Sequence, residues 1–295
     1  MLDRRAFLSG SIAFLAATGC KSTKPDIVVG SKNFTEQLIL GEIFAQMLEH
    51  GCSAPVDRRF YLAGTYICQQ AILAGRIDVY PEYTGTALAA VLKQRASGDG
   101  AQVYEEVKRE YWQKFVLEVL PPLGFNNSFV MVVRGDQARR LGLTRLSQLA
   151  QYARQMKLGV GYEFLERADG YNGLVRAYDL QFSEAPRVMD LGLLYRALQG
   201  HSVDIVAGSN TDGLIAALGL VVLEDDRRYF PPYDAVPIAR PDLFRRFPLA
   251  RSVFEQLAGR ITAEEMRKMN YAIDGEKKDA TAVARNFLQQ DSLLS

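Results

Sequence analysis

The chain holds two histidines in 295 residues, His50 and His201, and neither has a ligand-spaced partner. That excludes an imidazole-built metal centre. One histidine ends a helical run and the other follows Gly200, so both read as solvated surface. No Gly-x-Ser-x-Gly elbow and no phosphate-binding loop occurs. With no plausible base–nucleophile pair, an enzyme is not expected, and neither a metal nor a cofactor is called for. Charge of one sign is also missing. Lys plus Arg number 35 against 34 Asp plus Glu, a net of +1, which argues against a nucleic-acid partner and against a disordered acidic tail. Cysteine is scarce, at three residues. Past the N-terminus, no apolar run is long enough to cross a bilayer as a helix.

What is present reads as a soluble globular chain, 48% hydrophobic and 23% charged. Its length is near the upper end for one domain, so two lobes are expected. Residues 1–20 form a separate object. Arg4-Arg5 precede Phe7-Leu8, a short apolar run follows, and Thr18-Gly19-Cys20 closes it with small residues. A charged start, a short apolar stretch and a small-residue cleavage site make an export signal. The arginine pair resembles a twin-arginine signal. Ala17-Thr18-Gly19-Cys20 resembles a lipobox, in which Cys20 becomes the lipidated first residue. The folded part is then expected outside the cytoplasm, in the periplasm or at the cell surface, anchored by lipid on Cys20. Residues 21–25 are a polar tether.

Two further cysteines in an exported protein invite a disulfide. Cys52 is expected at the end of the first long helix and Cys68 in the helix after the next strand. A six-residue strand spans about 20 Å, whereas bridged Cα atoms lie within about 7 Å. Free, buried thiols are therefore expected at both positions.

The pattern along the chain alternates strand and helix. A strand over 26–30 opens the fold. Asn33 can cap the next helix, with Glu36 as its capping-box partner, and Ile39, Leu40, Ile43, Phe44, Met47 and Leu48 mark its apolar face. Strands near 56–61 and 78–80 follow, the second ending at Pro81, which cannot donate to a central ladder. A long helix over 101–119 should bury Trp112 and Phe115. A second βα set begins with a strand over 129–134. It continues with strands near 158–161, 187–190 and 203–207 and a helix over 194–199. Strands over 220–223 and 236–240 and three helical segments finish the chain. Alternation of this kind means parallel, helix-covered sheets. Lobe one is expected from 26–128 and 227–295, and lobe two from 129–226. The chain crosses near Phe129 and returns near Asp225-Asp226. Ligands of open α/β sheets bind beyond the strands' carboxyl ends, so the site is expected in the cleft between the lobes.

Three segments carry the chemistry. Asp78-Val79-Tyr80-Pro81-Glu82-Tyr83-Thr84-Gly85-Thr86 puts an aromatic and two hydroxyls just past a strand end. Gly30-Ser31-Lys32-Asn33-Phe34-Thr35-Glu36-Gln37 sets Lys32 beside a helix N-terminus, either an anion-friendly pocket or a solvated loop lysine. In the corresponding place in lobe two lies Glu163-Phe164-Leu165-Glu166-Arg167-Ala168-Asp169-Gly170. There Arg167 can fork onto a ligand's carboxylate or pair with Glu163 or Asp169. Tyr83, Phe129 and Tyr233, the last held by Pro231-Pro232, are aromatics at strand ends.

These segments, with Gly124-Phe125-Asn126-Asn127, Thr211-Asp212-Gly213 and the stretch from Val222 to Tyr233, resemble the substrate-binding proteins of glycine betaine/choline-type osmoprotectant ABC importers. The resemblance runs in order over essentially the whole chain after the signal. It implies an α/β, two-lobed type II periplasmic-binding-protein fold. It also implies a quaternary ammonium solute as ligand, and a membrane permease with a cytoplasmic ATPase as partners. A monomeric receptor is expected. Carried over by position, Tyr83, Phe129 and Tyr233 look like an aromatic cage, with Phe129 standing where the family has Tyr. Lys32, Thr86 and Arg167 fall where the family grips a carboxylate. Asn127 and Ser209 fall where they would line the pocket. Ser209 stands where a further cage tyrosine is usual, so one wall of the cage is either missing or supplied by another ring, such as Tyr162 or Tyr171. The solute therefore stays open among glycine betaine, choline, carnitine, ergothioneine and a proline betaine. A sensor on the same fold is the other reading.

Overall fold

A computed structural model describes residues 27–94 and 99–294. The export signal, the twin-arginine pair, Cys20, the tether over 21–25 and part of the loop after 94 lie outside the described residues. Among the described residues, no helix is long and apolar enough to cross a membrane.

Among the described residues, ten strands form two five-stranded sheets on one plan. In chain order the strands are β1 Ile27–Lys32, β2 Val56–Leu62, β3 Val79–Tyr83, β4 Glu118–Val119, β5 Phe129–Arg134, β6 Leu158–Val160, β7 Arg187–Val188, β8 Ile205–Ser209, β9 Leu220–Leu223 and β10 Ala235–Ala239. The first sheet has the order β2-β1-β3-β10-β4, parallel through β3, with β10 antiparallel to β3 and to β4. The second has the order β7-β6-β8-β5-β9, parallel through β8, with β5 antiparallel to β8 and to β9. Helices cover both faces of each sheet, so each sheet carries two apolar clusters, as parallel pairing requires. The molecule is thus an α/β fold of two lobes. The chain passes from one to the other between β4 and β5 and returns between β9 and β10. The two crossings run side by side. Asn126 bridges Asp234, and the Asn127 N–H donates to the Tyr233 carbonyl at 2.9 Å.

The helix Thr35–Cys52 is buried along most of its length, from Glu36 to Leu48. One side lies on the first sheet and the other is covered by the C-terminal helices. Such a helix has no solvent stripe, so its core residues include polar ones. It ends at Ser53, which takes the left-handed conformation at φ 49°.

Local structure departs from expectation at several points. Asn33 does not cap this helix. Phe34 occupies the N-cap in extended backbone with no side-chain cap, and the Glu36 carboxylate is engaged elsewhere. Strand β3 does not stop at Pro81. Pro81 faces Pro237 across the β3–β10 pair, and the Pro237 carbonyl accepts from the Leu120 N–H at 2.9 Å. The Pro237 carbonyl therefore turns toward the β4 side, and the two prolines occupy a position that exchanges no ladder bonds. On its other side Pro81 lies past Val79, which pairs with Val29 of β1. The long helix runs only over Gly100–Phe115, because Val116 turns left-handed at φ 54° and β4 follows. Trp112 on it is 52% exposed, while Val103, Val107 and Tyr111 are the core residues. Phe115 is partly buried against the same cluster. Four helices, not three, close the chain: Pro241–Arg246, Ala250–Leu257, Ala263–Asp274 and Ala280–Gln290.

Both thiols are free, Cys68 fully buried and Cys52 partly so. Burial pushes the Cys68 thiol up to about 12.

Candidate functional site

A cavity of about 280 Å³ lies between the lobes. Lys32, Tyr83, Thr86, Asn127, Phe129, Arg167, Ser209 and Tyr233 all line it. The topology accounts for the convergence. Lys32 and Tyr83 close β1 and β3, Phe129 opens β5, and Ser209 closes β8. Asn127 and Tyr233 sit on the two crossing segments, and Arg167 follows the short helix Tyr162–Glu166 of lobe two. Gly85 admits the Tyr233 ring beside the turn that carries Thr86. A Cβ there would sit 2.7 Å from that ring and 2.5 Å from the Pro232 carbonyl.

Two of the cations that line the cavity, Lys32 and Arg167, are buried and paired inside the protein. The Lys32 ammonium binds the Glu82 carboxylate and the Thr65 hydroxyl, the latter at 3.0 Å. It is neither a solvated loop lysine nor a bare cation at a helix end. Arg167 forks onto Asp169 through Nε (2.8 Å) and Nη2 (2.5 Å), and its Nη1 donates to the Thr86 hydroxyl across the cleft at 3.0 Å. Asp169 was one of the two internal partners open to it in the sequence. Burial alone would lower the Arg167 pKa, and the Asp169 carboxylate more than offsets that, so the guanidinium stays charged.

The rings and these cations are interleaved. Lys32 Nζ lies 4.7 Å from the Tyr83 centroid. Arg167 lies 4.9 Å from the Phe129 centroid and 5.6 Å from that of Tyr233. Phe129 and Tyr233 meet edge to face at 5.6 Å, and Phe34 stacks on Tyr83 at 6.4 Å. The rings and these cations therefore form one stack rather than two separate groups.

Several cavity residues were not singled out from the sequence. Glu36 is fully buried and accepts four bonds, from Tyr83 (2.6 Å), Asn127 (2.7 Å), Thr211 (2.6 Å) and Asn270 (3.2 Å). Burial raises its pKa against those donors. Thr211 belongs to lobe two, so Glu36 ties the lobes together. Tyr195, on the helix Leu194–Gln199, also lines the cavity. Its hydroxyl donates to Asp212 at 2.5 Å, and the Ser209 N–H donates to the same carboxylate oxygen at 2.9 Å. Burial, with Glu36 and Asp274 nearby, pushes the Asp212 carboxyl up to about 7. Neither ring suggested as a substitute at Ser209 takes this place. Tyr162 is at the rim and 66% exposed, and Tyr171 packs on Phe182 at 6.4 Å within lobe two, outside the cavity lining. In the sequence, Tyr195 reads as one more apolar-face residue of a short helix. The one signal that points to Glu36 is its place in the segment beside Lys32. Among the described residues, no group of His, Cys, Asp and Glu is arranged to hold a metal.

Residues 25–290 match the family model for the substrate-binding domain of ABC-type glycine betaine transport systems. The carnitine transport binding protein OpuCC of Listeria monocytogenes is 33% identical over 92% of this chain and 88% of its own. The ergothioneine transport permease/ergothioneine binding protein EgtU of Helicobacter pylori is 32% identical over 96% of this chain and 50% of its own length. A solved glycine betaine/carnitine/choline ABC transporter structure superposes with a TM-score of 0.74 at 29% identity, covering 90% of this chain and 99% of that one. These relatives are transport proteins, two of them named as binding proteins and one of those also as a permease, and not enzymes. The chain belongs to the family of substrate-binding domains of ABC-type glycine betaine transport systems.

Proposed function

We propose that the protein is an extracytoplasmic receptor that closes on a quaternary ammonium solute and delivers it to an ABC permease. It makes and breaks no bond. Tyr83, Phe129 and Tyr233 form the aromatic cage, Lys32, Thr86 and Arg167 take the solute's carboxylate, and Asn127 and Ser209 line the remainder. The observation that carries this reading is the gathering of these rings and cations around one cavity shared by both lobes. A quaternary ammonium has no N–H, so ring faces rather than acceptors recognise it, each worth roughly 0.5–2 kcal/mol once desolvated.

The internal ion pairs do not use up the clamp. Lys32 has three donors and spends two; Arg167 has five N–H groups and spends three. The Thr86 hydroxyl accepts from Arg167 and keeps its proton free to donate. A carboxylate taking these charge-assisted bonds gains roughly 1.5–3 kcal/mol from each. Two rings and two such bonds approach the roughly 8 kcal/mol of micromolar binding.

The receptor is exported, lipid-anchored at Cys20 and monomeric. Isothermal titration with glycine betaine, choline, carnitine and ergothioneine tests the assignment. Heat from at least one supports it. No heat from any, with protein confirmed folded, overturns it. The ergothioneine-binding relative supports ergothioneine as a member of that panel.

A further inference from the structure

Three of the phenols that line the cavity each end on a buried or part-buried carboxylate. Tyr83 donates to Glu36 at 2.6 Å, Tyr233 to Asp169 at 2.5 Å and Tyr195 to Asp212 at 2.5 Å. The pairs come from different elements, so local sequence does not impose the repetition. A phenol whose proton is drawn toward an anion carries more electron density in its ring. Its face then attracts a cation more strongly, and the low dielectric of a buried site amplifies the effect. In two of the pairs the protein already uses this. Lys32 faces the Tyr83 ring and Arg167 faces the Tyr233 ring. The Tyr195 ring meets no protein cation among the described residues.

The third pair is built into the fold. A Cβ at position 208 would collide with the Tyr195 hydroxyl oxygen, so Gly208 makes the room that Tyr195 occupies. The Ser209 N–H fixes the same Asp212 oxygen that Tyr195 binds. The other Asp212 oxygen has no hydrogen-bond partner among the described residues. The ring thus enters beside Ser209, where the expected cage tyrosine is missing.

We infer that the Tyr195–Asp212 pair is the missing wall of the site. Tyr195 touches the methylated cation, and Asp212 is a positioning residue that orients and electron-enriches the ring. The inference rests on the quaternary ammonium reading above and adds the residue that completes it. The rival role for the pair is structural, as a staple between the helix Leu194–Gln199 and the segment 209–213. The two roles differ in how they treat charge.

The test measures choline, and its neutral isostere with carbon in place of nitrogen, against wild type, Tyr195→Phe, Tyr195→Ala and Asp212→Asn. Each variant is first checked for an unchanged fold by circular dichroism, and the isostere is read by displacement of choline. Tyr195→Ala should weaken choline roughly tenfold or more. Tyr195→Phe and Asp212→Asn, which keep the ring, should weaken choline by a smaller factor and leave the isostere unchanged. Equal losses for choline and isostere in Asp212→Asn overturn the inference in favour of the staple. Unchanged choline affinity in Tyr195→Ala also overturns it. Wild type that binds betaine, carnitine or ergothioneine but not choline overturns this inference while sparing the receptor assignment. Wild type that binds none of the four overturns both.

Discussion

Arg167 lies 4.9 Å from the centroid of the Phe129 ring, with its guanidinium forked onto Asp169. The arginine reaches from lobe two to Thr86 of lobe one, and Phe129 opens the strand at which the chain crosses over. The cation and the ring therefore hold the same junction between the lobes. Truncating Arg167 leaves Asp169 buried and uncompensated, so Arg167→Ala should cost about 3–5 kcal/mol of stability. Arg167→Lys should fall between it and wild type, because an ammonium cannot reproduce the fork. Urea unfolding of the three proteins gives the order. A lysine variant as stable as wild type would contradict the role of the fork.

The Lys32–Glu82 pair makes a second case. Both side chains are almost wholly buried. Lys32→Met should destabilise by about 3–5 kcal/mol, because Glu82 is left alone, and Lys32→Met with Glu82→Gln should recover part of the loss. In folded protein, Lys32→Met should weaken glycine betaine and spare choline, which has no carboxylate. A double variant whose loss equals the sum of the single losses would show that the two residues are not coupled.

Asp212 gives the site a pH dependence with a definite sign. Burial raises its pKa from 3.8 to about 7, and Glu36 and Asp274, themselves raised by burial, act on it from the facing elements. The folded state therefore holds this proton more tightly than the unfolded state. The stabilising contribution is fully present below about pH 3.8 and is lost as pH rises through about 7. Asp212→Asn should flatten the stability profile across that window. A cation beside Asp212 favours its ionised form, so choline affinity should rise between pH 6 and 8 by roughly the fraction ionised, and Asp212→Asn should abolish the rise. Parallel profiles for wild type and variant would refute this.

Much of the fold was legible because alternation of apolar runs reports burial directly. The strands Phe129–Arg134 and Leu220–Leu223 and the helix Leu194–Gln199 run where the pattern put them. Two of the failures share a cause, which is pairing over long sequence separation. Pro81 sits within a strand because Pro237, far along the chain, faces it. Glu36 looks like a local cap yet takes its partners from Asn127, Thr211 and Asn270. The family motifs led to rings and cations that line one cavity, but not to the Glu82 and Asp212 carboxylates under them. Glu82 and Asp212 are ordinary acidic residues until the sheets close.

Glu36 supplies a further prediction, on closure. Its bond from Thr211 at 2.6 Å spans the lobes. Thr211→Val removes that donor at nearly constant volume and should cost about 0.5–1.5 kcal/mol of closed-state stability. Small-angle scattering should then show a larger mean radius of gyration for the variant at equal ligand concentration. An unchanged radius and unchanged affinity would mean that the bond does not contribute to closure.

The most direct measurement compares wild type with Tyr83→Leu, which keeps apolar volume and removes the π face, by calorimetric titration of glycine betaine, choline, carnitine and ergothioneine. A methylated cation held against aromatic faces predicts binding of at least one compound by wild type and a loss of roughly tenfold or more in the folded variant. Equal affinity in the two proteins, or no binding by wild type, would contradict it.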